Sequence, residues 1–67
     1  MTKTLSFAAR LRSLREARGW PVAELAARAG LSRQAVWRLE SSRRRPGLDA
    51  IERLAEALGV PAGELLS

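Results

Sequence analysis

The sequence has no cysteine, no histidine and no long apolar run. Without cysteine the chain has no disulfide and no thiol redox chemistry, and without either residue it lacks the commonest side-chain ligands of metal ions. Its apolar stretches fall far short of the ~20 residues of a membrane span. The first residues, MTKTLSFAAR, are too few and too weakly apolar to form a secretory signal. We therefore expect a cytoplasmic protein with no metal site and no membrane anchor.

Residue patterns that support catalysis are also missing. The sequence contains no glycine-rich phosphate loop and no pair of carboxylates spaced for acid–base work. The carboxylates of Glu24 and Glu40 fit structural roles better than catalytic ones. We expect no enzymatic activity, no cofactor and no small-molecule ligand.

The charged residues that are present are unevenly distributed. Residues 1–45 contain 11 of the 12 Lys and Arg residues and three of the seven acids, a formal charge of +8. Residues 46–67 contain Arg53 and four acids, a formal charge of −3. A GC-rich genome would explain the abundance of arginine but not this separation. A polyanion would be attracted to the first segment and repelled by the second, which favours nucleic-acid binding.

Apolar residues recur at helical spacing along the chain, and no alternating pattern indicates a strand. A chain of 67 residues with this pattern predicts one all-α domain, residues 1–67, of modest stability. The helices are expected at about 6–18, 22–29, 33–41, 48–58 and 62–66. The predicted core includes Phe7, Leu11 and Leu14 in the first helix and Leu48, Ile51, Leu54, Ala55 and Leu58 in the fourth.

The segment VAELAARAGLSRQAVWRLES, residues 22–41, is the most informative part of the chain. Its first half has one apolar helical stripe, which is followed at once by Gly30, the residue type that most easily ends a helix in a left-handed conformation. Ser32 is a good N-cap for a second helix, whose inward positions are Val36 and Leu39. Two helices joined by so short a turn are typical of a helix-turn-helix, in which the second helix reads DNA.

Several motifs occur in the same order and at the same spacing as in the phage repressor/Cro-like family, also called the XRE family. They are Arg10-Leu11 with Leu14-Arg15 and Gly19, Glu24-Leu25-Ala26, Gly30-Leu31-Ser32, Val36 to Glu40, Arg43-Arg44-Arg45-Pro46, and the apolar tail from Ile51 to Leu66. Each motif is weak evidence alone, but the ordered set resembles this family from about Phe7 to Leu66. The resemblance implies a compact five-helix lambda-repressor-like domain with its helix-turn-helix at helices 2 and 3. It also implies a sequence-specific regulator of transcription that binds double-stranded DNA, in particular a dimeric repressor.

The second helix of the motif carries side chains that suit base recognition. Arginine and glutamine make bidentate contacts to guanine and adenine in the major groove, so Arg33 and Gln34 are expected to do more than face solvent. Arg38 matches a frequent arginine of the family, and either a base edge or a phosphate would be its partner. The residues expected at base edges are Arg33, Gln34, Trp37 and Arg38.

The two tryptophans need separate explanations. Trp37 is a large aromatic residue where most members of the family have a small or polar one. It would either pack on a thymine methyl and sugar or fold back over the preceding helix as core cover, and we favour contact at or near DNA. Trp20 replaces a common leucine and is expected in the core.

Phosphate contacts are expected around the reading helix. Relatives lay the loop after this helix along the sugar–phosphate backbone, where the arginine fork binds phosphate bidentately and narrow A·T grooves concentrate negative potential. Many members of the family have Thr or Ser and then Gln at the start of helix 2, and in several of them this Gln contacts a phosphate. This chain has Pro21 and Val22 there, so that phosphate contact is absent, although proline still suits the start of a helix. The residues expected at phosphates are Ser32, Ser41, Ser42, Arg43, Arg44 and Arg45.

The resemblance also pairs two charges that lie far apart in the chain. In the family, the residues that match Arg15 and Glu40 form a partly buried ion pair between helix 1 and the end of helix 3. The alternative is two unrelated surface charges. We expect the pair, and its use would be to fix the angle at which the reading helix is presented.

The number of base pairs that one helix can read bears on the oligomeric state. One helix reads too few base pairs to select a site in a genome, so we expect a homodimer on a palindromic operator. The pairing surface is expected at Val60, Leu65 and Leu66, because so small a core would not bury all three. Two other functions stay open. One is an antitoxin that binds DNA and a toxin, and the other is an interaction module that bridges proteins.

Overall fold

The computed structural model describes residues 6–41 and 46–66, and within these ranges the chain forms five helices and no strand. The helices are α1 (Phe7–Ala17), α2 (Val22–Ala29), α3 (Arg33–Ser41), α4 (Leu48–Leu58) and α5 (Ala62–Leu66). The predicted all-α, five-helix fold is confirmed, and α2 to α5 begin and end at the predicted positions. No helix among the described residues is both long and apolar enough to cross a membrane.

Two serine side chains begin the helices that carry the predicted motif residues. The Ser6 hydroxyl accepts a hydrogen bond from the Ala9 N–H at 3.2 Å, at the start of α1. The Ser32 hydroxyl accepts one from the Ala35 N–H at 3.1 Å, at the start of α3. Each bond satisfies one of the backbone donors left without a partner in the first helical turn. The predicted N-cap at Ser32 is therefore confirmed, and Ser6 caps α1 in the same way.

A three-residue turn, residues 30–32, connects α2 to α3. Gly30 has a φ of +69°, a conformation that glycine adopts at no steric cost. The Leu31 N–H donates to the Ala26 carbonyl at 2.9 Å, and the Gly30 N–H donates to the Ala27 carbonyl at 3.3 Å. These are the two bonds of a Schellman motif. Because Leu31 also packs against the core, the turn fixes the direction in which α3 leaves α2.

The core lies where α2 packs against α3 and α4, while α1 packs against α3 and α5. Ala26 is fully buried, and its small side chain leaves room for the helices to approach. Every helix contributes at least one buried apolar side chain. The buried set is Leu11, Leu25, Ala26, Ala29, Val36, Ile51, Leu54, Ala55, Leu58 and Leu65.

Leu48 does not lie in the core as predicted, because its side chain is 64% exposed. It is the first residue of α4 and has the right spacing for the apolar face of that helix. However, side chains on a helix tilt toward its N-terminus. The Leu48 side chain therefore extends past the start of the helix, beyond the neighbours that cover Ile51.

The prediction that Leu65 lies on an exposed pairing surface is wrong. Leu65 is 1% exposed, because α5 packs on both α1 and α4 and directs this side chain between them. Val60 and Leu66 are only partly buried against the same core. Of the three residues expected at the pairing surface, these two retain exposed apolar area.

Candidate nucleic-acid interface

α3 has one buried face and one exposed polar face. Val36 is fully buried and Leu39 packs against the core beside it, which fixes the inward side of the helix. Five residues point outward because their spacing places them on a single face of a helix with 3.6 residues per turn. They are Arg33, Gln34, Trp37, Arg38 and Ser41. The structure thus brings together the four residues that were predicted at base edges.

Trp37 projects from the middle of this face into solvent. Its side chain is 65% exposed, and among the described residues Leu48 is the one other large apolar side chain with similar exposure. Trp37, Arg33 and Gln34 line a shallow groove together with Val22 from the first turn of α2. Trp37 therefore does not cover the core, which was the alternative prediction.

The exposed face of α3 carries uncompensated positive charge. Neither Arg33 nor Arg38 lies within ion-pair distance of a carboxylate in residues 6–41 or 46–66. The one acid of α3, Glu40, is turned inward and paired with Arg15. This face therefore attracts an anionic partner.

Arg15 and Glu40 form a bidentate ion pair between α1 and α3. Nε of Arg15 donates to Oε2 of Glu40 at 2.7 Å, and Nη2 donates to Oε1 at 3.0 Å. The remaining nitrogen, Nη1, donates to the Trp20 carbonyl at 2.7 Å. The side chains are 12% and 8% exposed, so the pair is largely removed from water. One guanidinium thereby links α1, the α1–α2 connection and the last turn of α3.

The hydrogen bond from Glu40 raises the pKa of Arg15, against the opposing effect of burial. A pKa that is higher in the folded state adds stability that is complete below the unfolded-state pKa and is lost as the pH rises through the folded-state pKa. For arginine both values lie far above neutrality. Arg15 therefore keeps its charge, and its pairing with Glu40 does not depend on the Arg15 proton, at every physiological pH.

Two basic residues that the sequence reasoning did not single out have structural roles around Trp20. The Arg28 guanidinium lies 4.3 Å from the centroid of the Trp20 ring, a cation–π distance, and the Arg18 guanidinium lies 5.9 Å from it. Arg18 also donates to the Leu14 carbonyl at 2.7 Å and to the Leu58 carbonyl at 2.5 Å. Trp20, predicted in the core, is partly buried at its edge. The position of Arg18 just before Gly19 was the available signal, since arginine often bonds the last carbonyls of a helix.

Two of the residues predicted at phosphates lie among the described residues, and four do not. Ser32 and Ser41 stand at opposite ends of α3, and both are exposed. The Ser32 hydroxyl accepts a bond from Ala35 but can still donate its own proton. Ser42, Arg43, Arg44 and Arg45 lie outside the described residues.

A family model described as a helix-turn-helix domain matches residues 6–67. The chain belongs to the helix-turn-helix domain family. This result confirms the resemblance to the phage repressor/Cro-like proteins, and it agrees with the arrangement of α2, the turn at residues 30–32, and α3.

Three known proteins are similar to this chain. An uncharacterized HTH-type transcriptional regulator of Mycobacterium tuberculosis is 38% identical over 58 residues, which are 87% of this chain and 23% of that protein. The restriction-modification controller protein C.AhdI from Aeromonas hydrophila is 41% identical with a TM-score of 0.83, over 88% of this chain and 89% of that one. The DNA-binding domain of the P22 C2 repressor is 26% identical with a TM-score of 0.87, over 97% of this chain and 86% of that one. The chain thus spans about a quarter of the length of the curated relatives it matches.

Proposed function

We propose that this helix-turn-helix chain is a sequence-specific regulator of transcription that binds double-stranded DNA and reads the major groove with α3. The observation that carries the proposal is that α3 has two distinct faces. One is held against the rest of the domain by the buried Val36 and by the ion pair of Glu40, and the other presents hydrogen-bonding groups to solvent. Arginine and glutamine on the second face can form bidentate bonds with guanine and adenine. The residues proposed at base edges are Arg33, Gln34, Trp37 and Arg38.

The three relatives described above support a regulator. Their names describe a transcriptional regulator, a restriction-modification controller protein and the DNA-binding domain of a repressor. A protein that regulates transcription works where the chromosome is, so we propose that this one, of bacterial or phage origin, is cytoplasmic and is associated with the nucleoid when it is bound to DNA.

Phosphate contacts from both ends of α3 would orient the reading helix. Ser32 precedes α3 and Ser41 ends it, and both residues are exposed. The arginines that follow in the sequence, Arg43 to Arg45, would extend these contacts along the backbone together with Ser42. Contacts of this kind fix register and supply most of the salt-dependent affinity.

Binding to duplex DNA should therefore weaken steeply as salt concentration rises. Replacing Arg43, Arg44 or Arg45 singly by alanine is expected to weaken binding to all duplex sequences similarly. Each arginine that contacts a phosphate should flatten the log–log salt slope by about one when it is removed. The measurement is equilibrium binding of a labelled duplex at several salt concentrations. Binding that does not respond to salt would contradict the proposed function, and three silent alanine variants would contradict the loop assignment.

We further propose that two copies bind a palindromic operator as a homodimer that acts as a repressor. The half-sites would lie about one helical turn apart, roughly 34 Å. The pairing surface is assigned to Val60 and Leu66, which keep exposed apolar area. This surface lies outside the basic segment, residues 1–45, so two copies would meet there without opposing their basic faces. A two-fold axis brings the same residues of both copies together.

Leu66→Glu is expected to abolish cooperative occupancy of a duplex with two half-sites, because it places like charges across the proposed two-fold axis. Its affinity for a duplex with one half-site should stay within about twofold of the unaltered protein, since Leu66 is in α5 and not on the exposed face of α3. Because Leu66 is partly buried, circular dichroism checks that the variant is folded. Quantitative mobility shift with both duplexes measures the two properties. Cooperative filling that persists in the variant would place the dimer interface elsewhere.

A further inference from the structure

The two tryptophans of the chain have opposite environments. Trp20 is partly buried, and the guanidinium groups of Arg18 and Arg28 lie near its ring. Trp37 is 65% exposed, and no cation of the described residues covers its ring. A single exposed apolar side chain is ordinary on a protein surface, so the size and chemistry of tryptophan carry the argument here. Tryptophan in such a position is also among the residue types that dominate binding energy when a partner covers them.

The groove beside Trp37 has an apolar part and a polar part. The Trp37 ring and the Val22 side chain supply apolar atoms, while Arg33 and Gln34 line the same groove with bonding groups. Arg33 and Gln34 lie four and three residues before Trp37, so all three belong to adjacent turns of one helical face. A ligand that bonded to Arg33 or Gln34 would therefore bring neighbouring atoms against Trp37 and Val22.

The charge around the groove selects the kind of occupant. Arg33 lines the groove, Arg38 follows Trp37, and the acid of α3 is buried against Arg15. An anionic partner such as DNA therefore suits this surface better than a basic or neutral apolar protein face would. In the major groove of DNA, the apolar group that a base presents is the C5 methyl of thymine.

We propose that Trp37 and Val22 form a site for the 5-methyl group of a pyrimidine, which in the preferred DNA sequence is thymine. The inference rests on the proposed function and adds a specificity-determining contact to it. The methyl group of 5-methylcytosine occupies the same place in the major groove. The site therefore also favours 5-methylcytosine over cytosine at that one position, so methylation of DNA strengthens binding there.

Single thymine-to-deoxyuridine replacements test the site on the unaltered protein. The starting duplex is the sequence that the protein selects from a random pool. At one position in each half-site, loss of the methyl group should weaken binding about fourfold, the equivalent of the ~0.8 kcal/mol gained by burying one such group. At that same position, 5-methylcytosine should bind about fourfold more tightly than cytosine.

Trp37→Ala should bind the thymine and deoxyuridine duplexes equally, because it removes the main wall of the site. Its fold should be intact, since the ring is mostly exposed, and circular dichroism checks this directly. Leu48→Ala is the matched control, because Leu48 is equally exposed but lies at the start of α4. This control should discriminate thymine from deoxyuridine as well as the unaltered protein does.

The outcomes separate the site from the function. The proposal is overturned if no thymine of the selected sequence shows a methyl effect, if the sequence has no thymine, or if discrimination survives in Trp37→Ala. Equal loss in Leu48→Ala would also overturn it. In each of these cases DNA binding itself stands. A protein that selects no sequence at all would instead refute the proposed function.

Discussion

Glu40→Ala is expected to lower the free energy of unfolding by about 3 kcal/mol, because it leaves Arg15 largely buried without its bidentate partner and with only the exposed Glu16 carboxylate, 4.0 Å away. Arg15 would lose two of its three side-chain hydrogen bonds and keep the one to the Trp20 carbonyl. Urea denaturation followed by circular dichroism measures the change. An exposed pair is the control. Glu24→Ala removes the partner of Arg28, whose side chain is 50% exposed, and should cost less than ~1 kcal/mol.

The double variant Arg15→Met with Glu40→Leu distinguishes a stranded charge from a lost attraction. Buried ion pairs add little net stability, because desolvation offsets most of their Coulomb energy. Two apolar side chains of similar size should therefore recover most of the stability lost in Glu40→Ala. If the single changes are silent and additive, the two groups are solvated and the pair does not hold α3 against α1.

Arg33→Ala and Gln34→Ala are each expected to remove roughly 1–3 kcal/mol of discrimination at one base pair, which is the contribution of a good bidentate contact to a base edge. Both side chains are exposed, so stability should change little. The measurement is competition binding against duplexes that differ from the preferred sequence at single positions. A flattened preference at one position, with the others intact, identifies the base that each residue reads.

Arg53→Ala serves as the control for these two variants. Arg53 is half-exposed on α4 and pairs with Asp49, in the acidic segment and not on α3. Its loss should leave the pattern of discrimination unchanged. A variant of Arg33 or Gln34 that weakens specific and non-specific binding equally would show that the residue contacts the backbone and not a base.

The helices were predictable because their ends are determined locally. Ser6 and Ser32 cap the helices that follow them through their own hydroxyl groups, and Gly30 ends α2 through a left-handed conformation. Each of these signals involves residues within a few positions of one another in the chain. The exposed face of α3 follows from the same local information, because helical spacing alone separates Arg33 and Trp37 from Val36.

The errors concern residues whose environment depends on distant helices. Leu65 was predicted at the surface, but α1 and α4 together cover it, and spacing within α5 does not reveal that. Leu48 has core spacing, yet no neighbouring helix extends far enough to cover it. The contacts of Arg18 with the end of α4 span 40 positions of the chain. Interactions of this kind depend on how the helices are arranged, which no single stretch of sequence specifies.

Selection of bound duplexes from a random pool tests the central claim, that the exposed face of α3 reads DNA sequence. The unaltered protein should enrich one preferred sequence with two-fold symmetry, and the Arg33→Ala, Gln34→Ala double variant, although folded, should lose the preference at the positions those residues read. Enrichment of no sequence by the unaltered protein, or of the same sequence by both proteins, would contradict the account.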